Sequence, residues 1–97
     1  MMELAAELQR ICDSEINIRI NWLWDGDVEG WRGIEVWVGD MSGYLAQETV
    51  PSADEIVPWL QEAIAHFYPD SAYAKSLAAD VRERAKTRVF LPPRVHE

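Results

Sequence analysis

Residues 16–24 alternate strictly between two kinds of side chain, and this pattern constrains the fold more than any other part of the chain. Isoleucine or tryptophan occupies every second position, with polar residues and one leucine between them. A period of two is typical of a β-strand that buries one face. The residues predicted to face the core are Ile16, Ile18, Ile20, Trp22 and Trp24.

Two more strands are predicted downstream. Residues 25–30 are rich in Asp and Gly, and residues 33–39 then alternate again. Ile34, Val36 and Val38 point to one side of this second strand, and Glu35 and Trp37 to the other, as expected for a hairpin partner. A second turn signal at 40–43 and weak alternation over 44–50 predict a third antiparallel strand, which completes a meander.

Helices are predicted on both sides of these strands. Apolar residues recur at helical spacing over 4–12, and Ser52 with Glu55 has the spacing of a capping box that starts a second helix. Pro58 should kink or loosen the first turn of that helix. A last helix follows the break at 68–70. Its predicted apolar stripe consists of Ala74, Leu77, Ala78, Val81 and Ala85. We therefore expect an α+β fold of order α-β-β-β-α-α, a three-stranded antiparallel meander with helices packed on one face.

The length of 97 residues predicts a single α+β domain over 1–97. Pro92 and Pro93 cannot continue a helix, so residues 89–97 should form an extended apolar and basic tail. One cysteine and no secretory signal favour a cytoplasmic location. With a net charge of −8 and no apolar run of roughly 20 residues, membrane association is not expected.

The acidic turn has part of the pattern of a calcium-binding loop. Asp25, Asp27 and Glu29, followed by Gly30, resemble the start of a calcium loop. The twelfth position of such a loop needs a bidentate glutamate, and Val36 stands there. A solvated hairpin turn is the better interpretation, and neither a metal nor a cofactor is expected.

Catalysis requires a nucleophile with a base, or carboxylates held at different pKa values. Cys12 lies on the apolar stripe of the first helix, His66 lies beside aromatic residues in a helix, and His96 lies in the tail. The chain has no phosphate-binding glycine loop and no paired metal ligands. The sequence therefore predicts a protein that is not an enzyme.

A helix, three strands and a helix is also the order of a double-stranded RNA-binding domain. Such domains contact phosphates through lysines at the start of the helix that follows the sheet. Here Asp54 and Glu55 occupy that position. The basic run over 82–94 is typical of a solvated helix face. With a net charge of −8, direct binding to nucleic acid is not expected.

The region from Asp13 to Glu48 has eight carboxylates against two arginines. Trp31 and Trp37 have the parity opposite to the core-facing residues, so we expect them on the outer face of the sheet. Aromatic side chains anchor protein interfaces, and surrounding carboxylates steer association toward a basic partner. The predicted partner-binding residues are Asp25, Asp27, Glu29, Trp31, Glu35, Trp37 and Asp40. Alternatively, the tail residues Val89, Phe90 and Leu91, or a second copy in a homodimer, cover the two tryptophans.

In size, acidity and lack of a catalytic motif, the chain resembles the small acidic phage-encoded inhibitors of the anti-CRISPR and DNA-mimic type. It is similar, more loosely, to the acidic immunity proteins that block nucleases. These groups share no sequence motif, so the residues named above rest on charge and position. The resemblance implies a non-enzymatic inhibitor that docks on a basic surface of a nucleic-acid-handling protein or complex. The alternative is a structural or adaptor module, homodimeric or part of a larger assembly, whose acidity serves solubility only.

Overall fold

The structure, a computed structural model, describes residues 2–12, 16–24 and 31–93. These residues form an α+β fold with the predicted order, which confirms the fold class. The elements are α1 (Met2–Cys12), β1 (Asn17–Trp24), β2 (Trp31–Asp40), β3 (Gly43–Val50), a 3-10 turn (Ala53–Glu55), α2 (Ile56–Phe67), α3 (Ala72–Ser76) and α4 (Ala79–Thr87). In this described part, every helix is too short or too polar to cross a membrane.

The three strands form one antiparallel sheet in the order β1-β2-β3, which confirms the meander and its third strand. The register places the predicted core rows of β1 and β2 on the same face. The cross-strand pairs on this face are Ile18 with Val38, Ile20 with Val36, and Trp22 with Ile34. Between Leu23 and Trp24 the register shifts, so regular pairing of β1 covers residues 17–23.

Burial on the helix-covered face of the sheet differs between the central strand and the β1 edge. The predicted core residues of β2 are fully buried: Ile34, Val36 and Val38. In β1, Ile18 and Ile20 are half-buried, and Trp22 is 54% exposed. The assignment of Trp22 to the core is therefore wrong. Its strand lies at the sheet edge, whereas α2 packs against β2 and β3.

The second helix starts later than its sequence signal indicates. The side chain of Ser52 makes no capping hydrogen bond, so the predicted capping box with Glu55 is wrong. Instead, a 3-10 turn precedes α2, which begins at Ile56. Pro58 then lies in the first turn of α2, where a backbone N–H has no helical acceptor. At this position the proline removes no hydrogen bond within α2.

The last predicted helix is divided into α3 and α4. Leu77 and Ala78 between them have extended backbones, with ψ values of 155° and 150°. The hydroxyl of Ser76 donates to the carbonyl of Tyr73 at 2.6 Å, a local bond that competes with helix continuation. Leu77 is nevertheless buried. The break redirects the chain without exposing this residue of the predicted stripe.

After α4 the chain is extended and runs beside the edge of β3. The Gln47 N–H donates to the Leu91 carbonyl at 3.1 Å, while Val89 is 83% exposed. The Phe90 ring packs on the α2 side, near the rings of Trp59, His66 and Phe67. The alternative in which Phe90 covers the outer face is therefore wrong, and residues 94–97 lie outside the described part.

Candidate functional site

The seven predicted partner-binding residues fall into three groups. The carboxylates of the connection between β1 and β2 lie outside the described residues: Asp25, Asp27 and Glu29. The backbone of Trp31 pairs with Trp24 where this connection ends, and the Trp31 side chain is outside the described part. The other three residues lie along β2: Glu35, Trp37 and Asp40.

Glu35 lies on the outer face of the sheet, between Asn21 and Thr49 in the register. It is only 8% exposed, and both of its carboxylate oxygens accept hydrogen bonds. Asn21 Nδ2 donates to Oε1 at 3.3 Å, and Gln47 Nε2 donates to Oε2 at 2.8 Å. The carboxylate therefore joins all three strands, because its two donors belong to β1 and β3.

Trp37 also lies on the outer face, where its register neighbours are Arg19 and Gln47. The prediction of its face is confirmed. The residue is only 7% exposed, and the Arg19 guanidinium carbon lies 4.9 Å from the ring centroid, a cation–π distance. Because β2 is central, side chains from both neighbouring strands flank the ring. Trp37 thus belongs to a packed cluster with Arg19, Asn21, Glu35 and Gln47, which we call the outer-face cluster.

Asp40 lies at the end of β2 away from the acidic connection. Its Oδ1 accepts a hydrogen bond from the Ser42 N–H at 2.7 Å, and its Oδ2 accepts one from the Tyr68 hydroxyl at 2.9 Å. These two bonds lower the pKa of Asp40 below its ordinary value, and the bond from the Ser42 backbone has the larger effect. Burial, together with the bond to Asp40, raises the pKa of Tyr68 to about 12. Asp40 therefore stabilises the turn and anchors α2.

Two further carboxylates lie near the other end of the sheet. Val50, the last residue of β3, pairs with Ile34 near the start of β2, and the chain then enters the turn with Asp54 and Glu55. Both acidic residues are exposed, and neither carboxylate has a partner among the described residues. The Tyr68–Asp40 bond places the end of α2 at the opposite end of the sheet.

The connection 25–30 joins β1 and β2 at the end of the sheet where Asp54 and Glu55 follow β3. We call this group the acidic end: Asp25, Asp27, Glu29, Asp54 and Glu55. Sequence reasoning noted Asp54 and Glu55 only as residues that repel phosphate. The antiparallel register of β2 with β3 places the turn with Asp54 and Glu55 after the end of β3 that pairs near the start of β2.

The charged residues near the C-terminus are mostly paired with one another. Three ion pairs involve α4 and the residue that follows it: Arg84 with Asp80 at 3.2 Å, Lys86 with Glu83 at 2.9 Å, and Arg88 with Glu62 at 3.2 Å. Arg82 and Lys86 also line a groove of about 280 Å³ against Ala65 and Pro69. In this region, therefore, several carboxylates already have cationic partners, in contrast to Asp54 and Glu55.

Within the described residues, no three His, Cys, Asp or Glu side chains are grouped so that they could hold a metal ion. His66 Nδ1 lies 2.8 Å from the Ala85 carbonyl oxygen, and its ring contacts Phe67 and Phe90. This ring therefore serves in packing between α2, α4 and the tail.

Comparison of the chain with protein-family models, curated proteins and solved structures found no match.

Proposed function

We propose that this protein is a non-enzymatic, acidic inhibitor that docks on a basic surface of a nucleic-acid-handling protein or complex. The observation that supports this proposal is the acidic end. Asp54 and Glu55 are exposed and have no partner among the described residues, and they adjoin the end of the sheet where the three-carboxylate connection 25–30 joins β1 to β2. Carboxylates grouped in this way can mimic a row of phosphates for a partner with a basic surface.

The free energy of docking favours carboxylates that have no intramolecular partner. Asp54 and Glu55 can approach a cationic surface without breaking an existing ion pair, whereas Asp80 and Glu83 would first have to leave Arg84 and Lys86. Opposite potentials also raise the association rate by orders of magnitude at low ionic strength. The connection joins two strands that pair antiparallel, with regular register from Asn17 with Gly39 to Leu23 with Gly33.

Glu35 and Trp37 have a different role in this proposal. Both are nearly buried, and the contacts of the outer-face cluster already occupy them. Exposing either to a partner would break those contacts. We therefore assign them to the support of the β1–β2 hairpin and place the docking surface at the acidic end.

The proposal is tested by affinity capture of the full chain from host lysate at about 50 and 500 mM salt, followed by identification of the bound proteins. Screening shortens the Debye length from roughly 14 Å to 4 Å over this range, so binding should fall steeply. The captured partner is then assayed for nucleic-acid binding with and without this protein. An inhibitor abolishes that binding, whereas salt-insensitive capture without inhibition would instead support the structural or adaptor alternative.

Two variants that remove equal charge locate the surface. The first neutralises the connection through Asp25→Asn, Asp27→Asn and Glu29→Gln. The control neutralises three carboxylates elsewhere through Asp70→Asn, Asp80→Asn and Glu83→Gln. We expect at least a roughly tenfold loss of affinity for the captured partner in the first variant and little loss in the control. Equal losses would show that only net charge matters, and full retention by the first variant would refute docking through the connection.

A further inference from the structure

The β1 edge of the sheet differs from the other edge in the described residues. β1 pairs with β2 and with no other described strand, whereas Gln47 of β3 donates to Leu91 of the tail. An edge strand of this length presents backbone N–H and C=O groups for pairing with another chain. The regular part of β1 contains no proline, glycine or lysine, residues that commonly protect such edges.

The side chains of β1 make this edge apolar on one face. Ile18 and Ile20 are half-buried, and Trp22 is 54% exposed, because α2 packs against the other two strands. On the outer face, Asn17, Arg19 and Asn21 are exposed. The strand is thus amphipathic, and a chain that pairs with this edge would cover its apolar row.

Charge indicates that a second copy of the chain can lie there. The protein has 17 Asp and Glu residues and a net charge of −8, so two copies repel each other over most of their surfaces. β1 contains no carboxylate and one cation, Arg19. That cation lies over Trp37 of its own sheet, so it need not be buried without a partner when the edge is covered. β1 is therefore a surface where two copies can approach at low electrostatic cost.

The sequence of β1 is self-complementary about its centre. The regular segment 17–23 has Ile20 as its midpoint. Antiparallel pairing about Ile20 places each Ile20 opposite its copy, Trp22 opposite Ile18, and Arg19 opposite Asn21. Sliding one strand by two residues in one direction places the two Arg19 side chains opposite each other, and sliding it by two in the other direction sets Arg19 against Leu23. Within 17–23, pairing about Ile20 keeps apolar residues together on one face, avoids facing like charges and sets Arg19 against a polar residue.

We infer that the β1 edge is a homodimer interface in which two copies pair antiparallel about Ile20 and form a continuous six-stranded sheet. A two-fold axis through this pair makes the interface isologous, so each copy contributes the same residues. The acidic connections are not part of the paired segment. This inference does not depend on the inhibitor proposal, since it concerns a different edge of the sheet.

Single cysteines report the register. In a Cys12→Ala background, Ile20→Cys should form an intermolecular disulfide on mild oxidation, because residues directly opposite in a strand pair have Cα atoms about 5 Å apart. The matched variants are Arg19→Cys and Asn21→Cys. In the proposed register, each is offset from its copy by two residues, or about 8 Å between Cα atoms, which is too far for a disulfide. Preferential cross-linking through position 19 or 21 would overturn the register.

Sedimentation of the unmodified chain should show a dimer at micromolar concentration, and Trp22→Glu should weaken dimerisation by at least about tenfold. The control is Met41→Glu, an equal charge change at a residue that is 93% exposed and lies in the turn after β2. A chain that is monomeric at all concentrations overturns the inference, and the edge would then be open to a different protein. A dimer that Trp22→Glu does not weaken also overturns it. If a cysteine variant folds poorly, hydrogen exchange of the unmodified chain decides: protection of residues 17–23 must increase with protein concentration.

Discussion

The hydroxyl of Tyr68 donates a hydrogen bond of 2.9 Å to Asp40 Oδ2, and this bond joins the end of α2 to the turn between β2 and β3. The same carboxylate also accepts a hydrogen bond from the Ser42 N–H, so Asp40 stabilises the turn and holds the end of α2 against it. This contact fixes the direction of α2 relative to the sheet. The start of α2, with Asp54 and Glu55 before it, is consequently at the end where β1 and β2 are connected.

We predict that Tyr68→Phe raises the pKa of Asp40, because the carboxylate loses one hydrogen bond that favours its charged form. The bond from the Ser42 N–H remains, so the pKa should stay below that of the Asp40 carboxyl in the unfolded chain. The measurement is an NMR titration of this carboxyl. The control is Tyr44→Phe, an exposed tyrosine in β3, which should leave the titration unchanged. An unchanged Asp40 pKa in Tyr68→Phe would mean that the Tyr68 bond is not formed in solution.

The same pair predicts how stability depends on pH. The pKa of Asp40 is lowered in the folded state, so its contribution is present above about 3.8, the ordinary aspartate value, and is lost as the pH falls through the folded value. The pKa of Tyr68 is raised from 10.0 to about 12, so its contribution is present below pH 10 and is lost as the pH rises toward 12. Thermal unfolding followed against pH should show a smaller acid loss in Asp40→Asn than in the unmodified chain. Equal acid losses would contradict the prediction.

Glu35→Ala should lower the free energy of unfolding by roughly 1–3 kcal/mol, because two amide donors of the outer-face cluster lose their acceptor. The matched control is Glu55→Ala, which removes an exposed carboxylate without a described partner and should cost less than about 0.5 kcal/mol. Urea unfolding measures both. A comparable small effect in the two variants would show that the Glu35 hydrogen bonds do not stabilise the sheet.

The sequence predicted the sheet faces but not the exposure of every residue on them. Alternation identified the rows of β1 and β2 correctly, because parity determines the face of a strand. It assigned Trp22 to the core, since a period of two cannot show that β1 lies at an edge beyond the cover of α2. Conversely, Trp37 is buried on the outer face because β2 is central. Strand order, a property of the whole fold, therefore decided which tryptophan is exposed.

For the helices as well, the sequence pattern predicted the buried face better than it predicted where each helix ends. Within the predicted stripe Ala74, Leu77 and Ala85 are buried and Val81 is half-buried, but Ala78 is exposed, so its assignment to the stripe is wrong. The pattern did not reveal the break at Leu77 and Ala78, where the hydroxyl of Ser76 bonds to the preceding turn. Likewise, Asp54 and Glu55 joined the candidate site only when the register of β2 with β3 placed the end of β3 near the start of β2. Pairwise spacing in sequence carries no information on such long-range proximity.

Gly39→Ala should disrupt the turn between β2 and β3. A Cβ atom at this position would lie 2.2 Å from the Gly43 carbonyl oxygen and 2.5 Å from the Tyr44 Cα, both backbone atoms that cannot rotate away. We expect a cost of about 2 kcal/mol or more in the free energy of unfolding. The control is Met41→Ala in the same turn, whose side chain is 93% exposed and whose loss should cost under about 0.5 kcal/mol. Wild-type stability of Gly39→Ala would refute this close approach.

Phe90→Ala should release the tail from the edge of β3. The Phe90 ring centroid lies 5.0 Å from that of His66 and 5.5 Å from that of Phe67, and these contacts hold the chain where the Leu91 carbonyl accepts from Gln47. Without the ring the tail loses these aromatic contacts, and the entropy cost of ordering its residues exceeds what a backbone hydrogen bond contributes. The Gln47 amide should therefore exchange with solvent at least about tenfold faster in Phe90→Ala, whereas Val89→Ala, at an 83% exposed position, should leave it unchanged. Unaltered protection of Gln47 in Phe90→Ala would show that the ring does not secure the tail, and equal acceleration in both variants would show that the effect is not specific to the aromatic contacts.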